Sequence, residues 1–192
     1  MSVAAVVPAA GKGERFGGAK LLVDVESEAL INRTLRSLLD GGVDRIVVVV
    51  APGGALATAD PETVPLLGDP RVELALNPDP ERGMFSSIRE GLRVVDADTV
   101  LVLPADMPFV EARTVAAVIG TAAGNVGVVS PRHAGERGHP IALPGSVCRA
   151  VLAADPGSDL KQVLADLDPP RMALDVDDPG VLRDVDVAGD LH

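Results

Sequence analysis

Val3 to Pro8 (VAAVVP) and Arg45 to Val50 (RIVVVV) are apolar runs with no polar alternation. A strand with one face in water alternates polar and apolar residues. A strand that does not alternate needs cover on both faces, which is the situation of a parallel sheet sandwiched between helices. Thr99 to Leu103 (TVLVL) repeats the pattern and Val126 to Ser130 (VGVVS) is similar, while shorter runs at 72–76, 139–143, 172–176 and 181–187 add further strands, some antiparallel. Helical spacing lies between them. Leu30, Ile31, Leu35, Leu38 and Leu39 mark a helix over about 28–40, and others are expected near 54–67, 86–95, 111–120, 145–154 and 158–167. Ser87 followed by Glu90 reads as a capping box opening the helix at SSIREGL. The alternation predicts a single three-layer α/β/α Rossmann-like domain over residues 1–192, with a mostly parallel, mixed sheet.

Composition narrows the partners. No stretch approaches the ~18 continuous apolar residues of a membrane span, and the N-terminus has no basic leader, so the expected location is the cytoplasm with no membrane partner. A formal net charge of −11 argues against a nucleic-acid surface, whose sequence-independent affinity comes from Lys and Arg. The single cysteine, Cys148, permits no intrachain disulfide and reads as a small buried apolar residue. If the ligand is a polyanion, its basic contacts must be gathered locally. Two of the three lysines, Lys12 and Lys20, share one glycine-rich segment with Arg15.

In an open α/β sheet, ligands bind beyond the carboxyl ends of the strands. The first apolar run is followed there by Ala9, Ala10, Gly11, Lys12, Gly13, Glu14, Arg15, Phe16, Gly17, Gly18, Ala19 and Lys20. Glycines let backbone N–H groups converge on an anion, and the basic side chains add charge-assisted bonds to phosphate. A triphosphate suits this loop. It is no P-loop, since no Gly-Lys is followed by Ser or Thr, and Phe16 stands where a dinucleotide fingerprint needs its third glycine.

The segment AAGKGERFGGAK resembles the AAGxGxRxGxxK signature of the MobA-like nucleotidyltransferases, the group containing molybdenum cofactor cytidylyltransferases and guanylyltransferases. Further matches follow in order. Residues 77–92 (NPDPERGMFSSIREGL) are similar to the family's NxxxxxGMxxSxxxG, which implies nucleotide contacts at Asn77, Gly83, Met84, Ser86 and Ser87. Physically, Gly83 permits a tight turn, and the serines stand at a helix N-terminus, where hydroxyl and N–H groups can meet sugar or phosphate. Leu103 to Pro108 (LPADMP) resembles the family's GDMP with Ala105 in place of glycine. A carboxylate at the end of a buried strand is costly unless paired or bound to a cation, and Mg2+ bridges one or two carboxylates to substrate phosphates, so Asp106 is the first metal ligand expected. A helix N-cap near Phe109 is the alternative for it.

Asp184 to Leu191 (DVDVAGDL) looks like the family's DxDTPEDL, which implies Asp186 as second Mg2+ ligand; Val187, Ala188 and Gly189 replace its Thr, Pro and Glu. Asp175 to Asp178 (DVDD) copies the pattern upstream and reads as turn or surface acids. Gly138-His139-Pro140 resembles the family's GHP, implying acceptor contacts at His139 and Pro140. Ser27 and Gln162 stand where relatives carry glycine and arginine, departures that bear on the acceptor.

The resemblance implies the nucleotide-diphospho-sugar transferase type of fold and a Mg2+-dependent transfer of NMP from NTP to a phosphorylated acceptor, with Arg15, Lys20 and Asp106 as catalytic groups. The Ala9-Ala10-Gly11 form favours CTP, with molybdopterin or molybdenum cofactor as acceptor and a molybdoenzyme as protein partner. Competing readings are a cytidylyltransferase acting on an isoprenoid-type or other small phosphate acceptor, a non-catalytic accessory protein that hands cofactor to a molybdoenzyme, and an NAD-binding protein.

Overall fold

The two unbroken apolar runs are covered on both sides, as their composition demands. In the computed structural model, which describes residues 1–11 and 20–185, they form β1 (Val3–Pro8) and β4 (Arg45–Val50). Alternate residues feed separate cores. Val3, Ala5, Val7, Ile46, Val48 and Val50 face one cluster, and Val6, Val47 and Val49 the other. The first cluster is closed by α1 (Leu30–Asp40) and α3 (Ala112–Ala122), the second by α2 (Met84–Val94), α4 (Gly145–Ala153) and α5 (Leu160–Leu167). The architecture is three-layered, α/β/α.

The remaining strands of the main sheet are β5 (Val72–Leu76), β6 (Thr99–Val102), β7 (Val128–His133), β8 (Glu136–Arg137), β9 (Ile141–Pro144) and β10 (Arg171–Asp175). Their order is β10-β7-β9-β6-β1-β4-β5, with β8 paired to β7. β1 runs parallel to β4 and β6, β4 to β5, and β7 to β10, whereas β9 is antiparallel to β6 and β7. Cys148 faces the α4 core, where burial pushes its thiol up to about 11. It stays protonated and inert at neutral pH.

Three local expectations need correction. Residues 54–67 form no α-helix but two short 3-10 turns, Ala55–Thr58 and Pro65–Gly68. Pro61 and Pro65 lack the N–H donors a continuous helix needs and disfavour helical geometry before them. Residues 181–185 are not a strand: a 3-10 turn at Pro179–Leu182 leads into irregular chain. Ser87 is not the cap of α2, because the helix begins at Met84 behind Gly83, and Glu90 pairs with Arg93 instead.

Beside the main sheet, β2 (Asp24–Val25) and β3 (Glu28–Ala29) form a small hairpin closed by Glu26 and Ser27, both at positive φ (52° and 74°). Two-residue turns of this hand match strand twist but strain any residue with a Cβ. Ser27→Gly is therefore expected to stabilise the protein by about 0.5–1 kcal/mol, the relief of strain exceeding the added freedom of the unfolded chain. Chemical denaturation measures it, and an unchanged or lower midpoint contradicts the strain argument.

Candidate active site

Because β5, β4, β1 and β6 are parallel, the loops after them open on one edge of the sheet. Antiparallel β9 begins at that edge, with Ile141 opposite Val102, so His139 and Pro140 reach the same place from the other direction. The sheet thus gathers the segments after β1, β5 and β6 and the segment before β9. This is the crevice in which doubly wound folds bind ligands.

The Asp106 loop is held from three sides. Leu103 and Ala105 donate their N–H groups to the carbonyls of Val6 and Pro8 (both 3.2 Å), which continues the β1–β6 pairing past the strand ends. From α1, the buried Thr34 hydroxyl donates to the Ala105 carbonyl at 3.0 Å, and Arg33 Nε to Pro108. Ala105, in the family's glycine position, is buried in the core. On this base the Asp106 carboxylate meets the Lys20 ammonium at 2.8 Å, with side-chain exposures of 27% and 12%. A largely buried cation is therefore seated on the carboxylate already. The N-cap alternative fails, because α3 starts at Ala112 with Glu111 before it.

A C-terminal strap brings a second acidic segment to this loop. From β10 the chain turns at Pro179–Leu182 and ends, among the described residues, with the Val185 N–H donated to the Asp106 carbonyl at 2.9 Å. On the way the strap fixes the His139 segment: His139 N–H donates to Val181 O at 3.0 Å. Gly138 is required by this approach, since a Cβ there would stand 2.2 Å from the same carbonyl. Asp178 pins the turn to α3, accepting from Gly180 N–H at 2.9 Å and Glu111 N–H at 3.0 Å. Asp175 is the exposed surface acid of that reading, paired with Arg132, and Asp178 is its turn acid, here buried.

Burial lowers the His139 pKa, an effect opposed by Asp106 and Asp184. The imidazole is neutral at pH 7, fitted to accept or donate one hydrogen bond at the crevice. The unfolded chain binds the proton more readily, so this contribution is complete above pH ~6.5 and declines as pH falls below it. His139→Asn should flatten the metal-free stability profile below pH ~6.5. Denaturation midpoints of both proteins across that range check it; parallel profiles contradict it.

Asn77 is turned inward. Its Nδ2 donates to the hydroxyls of Ser86 (2.8 Å) and Ser87 (3.0 Å), and its Oδ1 accepts from the Asp79 N–H at 3.0 Å. Gly83 supports the bend before them with φ 83°. The amide therefore acts as a bracket for the serines, of which Ser86 is the more accessible and Ser87 is buried; Met84 is exposed beside them. Ala9 donates its N–H to Val49 O, Ala10 is buried, and Gly11 opens the loop to solvent. Lys12, Gly13, Arg15 and Asp186 lie outside the described residues. Gln162 serves the first turn of α5, its N–H bonded to the Asp159 cap.

Among the described residues no three His, Cys, Asp or Glu side chains form a metal cage, and no helix is long and apolar enough to cross a membrane. An oxygen site of one or two carboxylates completed by phosphates and water is the Mg2+ habit, and the Asp106 carboxylate is an oxygen donor of that kind, on which a cation, the Lys20 ammonium, already sits. The Thr34 bond to Ala105 and the Asp178 bond to Glu111 went unforeseen. Each reaches a backbone group 67 or more positions away, which no local pattern announces.

The profile of the MobA-like NTP transferase domain matches residues 5–171. A 2-C-methyl-D-erythritol 4-phosphate cytidylyltransferase of Saccharopolyspora erythraea is 46% identical over 68 residues, covering 34% of this chain and 30% of the relative. The "Probable molybdenum cofactor guanylyltransferase" of Haloferax mediterranei is 30% identical over 149 residues, covering 77% and 66%. The matched stretch thus spans less than two thirds of either relative. In three dimensions the chain is similar to Rv0371c of Mycobacterium tuberculosis (TM-score 0.79, 21% identity, 99% and 95% coverage), a protein also solved in complex with manganese (0.72, 21%, 92% and 88%). It is likewise similar to a CMP:2-keto-3-deoxy-manno-octonic acid synthetase complexed with CTP (0.76, 14%, 98% and 95%). These structural likenesses concern the fold.

Proposed function

The chain belongs to the MobA-like NTP transferase domain family, and from that membership we propose that it transfers a nucleoside monophosphate, CMP from CTP, to a phosphorylated acceptor with release of pyrophosphate. The observation that carries this reading is the Lys20–Asp106 pair at the carboxyl edge, with the Val185 end of the strap bonded to the same loop. An ionised acceptor phosphate is already a nucleophile at neutral pH, so no Ser, Cys or His base is needed. The obstacles are charge repulsion and alignment, which are met by positioned cations and donors.

In this reading Asp106 and Asp186 hold Mg2+. The support is that Asp186 directly follows Val185, whose backbone is tied to Asp106. Bound there, the metal would supply charge neutralisation at the α-phosphate. Lys20 and Arg15, with the N–H groups of Gly11 to Gly13, take the pyrophosphate charge. Asn77 orients Ser86 and Ser87 toward the nucleotide, with Ala9, Ala10, Lys12, Gly83 and Met84 lining its place. His139 and Pro140 face the acceptor.

CTP is favoured by the Ala9-Ala10-Gly11 form, and a molybdenum cofactor acceptor by the GMxxS and GHP matches, with a cytoplasmic setting and a molybdoenzyme as recipient. A small isoprenoid-type phosphate is the second reading, favoured by the 46% identity to the methylerythritol phosphate enzyme.

CTP, GTP, ATP and UTP should be screened with and without Mg2+ for thermal stabilisation, read by calorimetry because the chain has no Trp or Tyr. At 100-fold over its Kd a ligand adds about 2.7 kcal/mol, which raises Tm by about 5–10 °C for a chain of this size. CTP with Mg2+ should give the largest rise, and pyrophosphate should appear when acceptor is added. No Mg2+-dependent response to any triphosphate would sink the proposal.

A further inference from the structure

A third apolar cluster adjoins the first core, with which it shares Leu21. It consists of Val25, Leu30 and Val185, all buried, with Leu21 and Phe109 packed against them. Three of these five residues stand close in sequence to a group of the proposed site. Leu21 follows Lys20, Phe109 ends the Asp106 loop, and Val185 precedes Asp186. Val185 is fully buried although Arg183 and Asp184 before it are exposed. Its backbone N–H is donated to Asp106 O in the same place.

We infer that Val185 is a positioning residue for the divalent cation: its side chain, seated between Val25, Leu30 and Phe109, fixes the end of the described strap against the Asp106 loop. This rests on the metal assignment above. A cation held by two carboxylates from distant segments binds tightly only if their separation is fixed beforehand, since otherwise ordering the strap opposes binding. Backbone bonding alone leaves the segment free to pivot about one hydrogen bond. The apolar anchor removes that freedom. Phe109 is itself held, with Arg183 over its ring at 4.1 Å to the centroid and Arg33 at 5.8 Å.

The test compares Val185→Ala with Val151→Ala, which removes the same atoms from an equally buried position in α4 on the opposite face of the sheet. Mn2+ binding is read directly from the electron paramagnetic signal of the free ion, with and without CTP. Loss of an outer residue that orients ligands typically weakens a metal site about 10-fold or more, and that loss is expected for Val185→Ala. Val151→Ala should bind Mn2+ as the wild type does despite a comparable fall in Tm. Val185→Thr, which keeps the shape but puts a hydroxyl among apolar side chains, should fall between them and covers the case in which the alanine variant does not fold. If wild type binds Mn2+ and the Val185 variants match Val151→Ala, the inference is wrong and the proposed function stands. If wild type binds no Mn2+ even with CTP, both fall.

Discussion

Asp106→Asn is expected to lower kcat/KM for nucleotidyl transfer by on the order of 100-fold or more, the usual cost of removing one preorganised electrostatic contact from a reacting centre. The substitution keeps the size of the side chain and the backbone bonds of the loop to Val6, Pro8 and Thr34. It removes the charge that Lys20 now neutralises at 2.8 Å. Two effects follow. The oxygen site for the cation loses an anionic ligand, so the Mg2+-dependent part of CTP stabilisation should shrink with the activity. Lys20, only 12% exposed, also loses the Asp106 charge beside it, and a triphosphate restores negative charge there. CTP alone should therefore still stabilise the variant. Steady-state kinetics and calorimetry with and without Mg2+ separate the two effects, and undiminished turnover would refute the metal assignment.

The parts of this molecule that sequence reveals are those governed by local composition. Ile46 to Val50 needs apolar cover on both faces wherever it folds, so the layered architecture could be read from one segment and its repetition in β1 and β6. The crevice followed, because parallel strands put their carboxyl ends together. Local signals misled where a distant partner or a proline decides. Ser87 had the spacing of a cap, yet its hydroxyl accepts from Asn77, and the helix starts a turn earlier at Gly83, where the backbone bends. Val181 to Val187 had the composition of a strand, but over the described residues 181–185 Pro179 and the Asp178 contacts turn the chain into a strap over the sheet edge. The apolar residues there serve the crevice. Val181 and Val185 are both fully buried, one beside His139 and the other beneath Asp106.

Asp178 ties the strap to the segment that opens α3. Its carboxylate is 1% exposed, and its two oxygens accept from two backbone N–H groups on separate segments. Hydrogen bonds to a charged group contribute about 1.5–3 kcal/mol each, and part of that is returned when a buried charge is removed. Asp178→Ala is therefore expected to destabilise the protein by about 2–4 kcal/mol, a fall in Tm of roughly 5–15 °C for this chain length. Asp178→Asn keeps one acceptor but turns an amide N–H2 toward the second N–H, so it should recover only part of the loss. Damage should be graded by distance along the strap. Amide exchange at His139 and Val185, whose N–H groups are bonded to and from the strap, should quicken before that of β1 and β4. A Tm within about 2 °C of wild type, below the shift expected for even 1 kcal/mol, or uniform loss of protection across the sheet would show that the strap is not organised by this carboxylate.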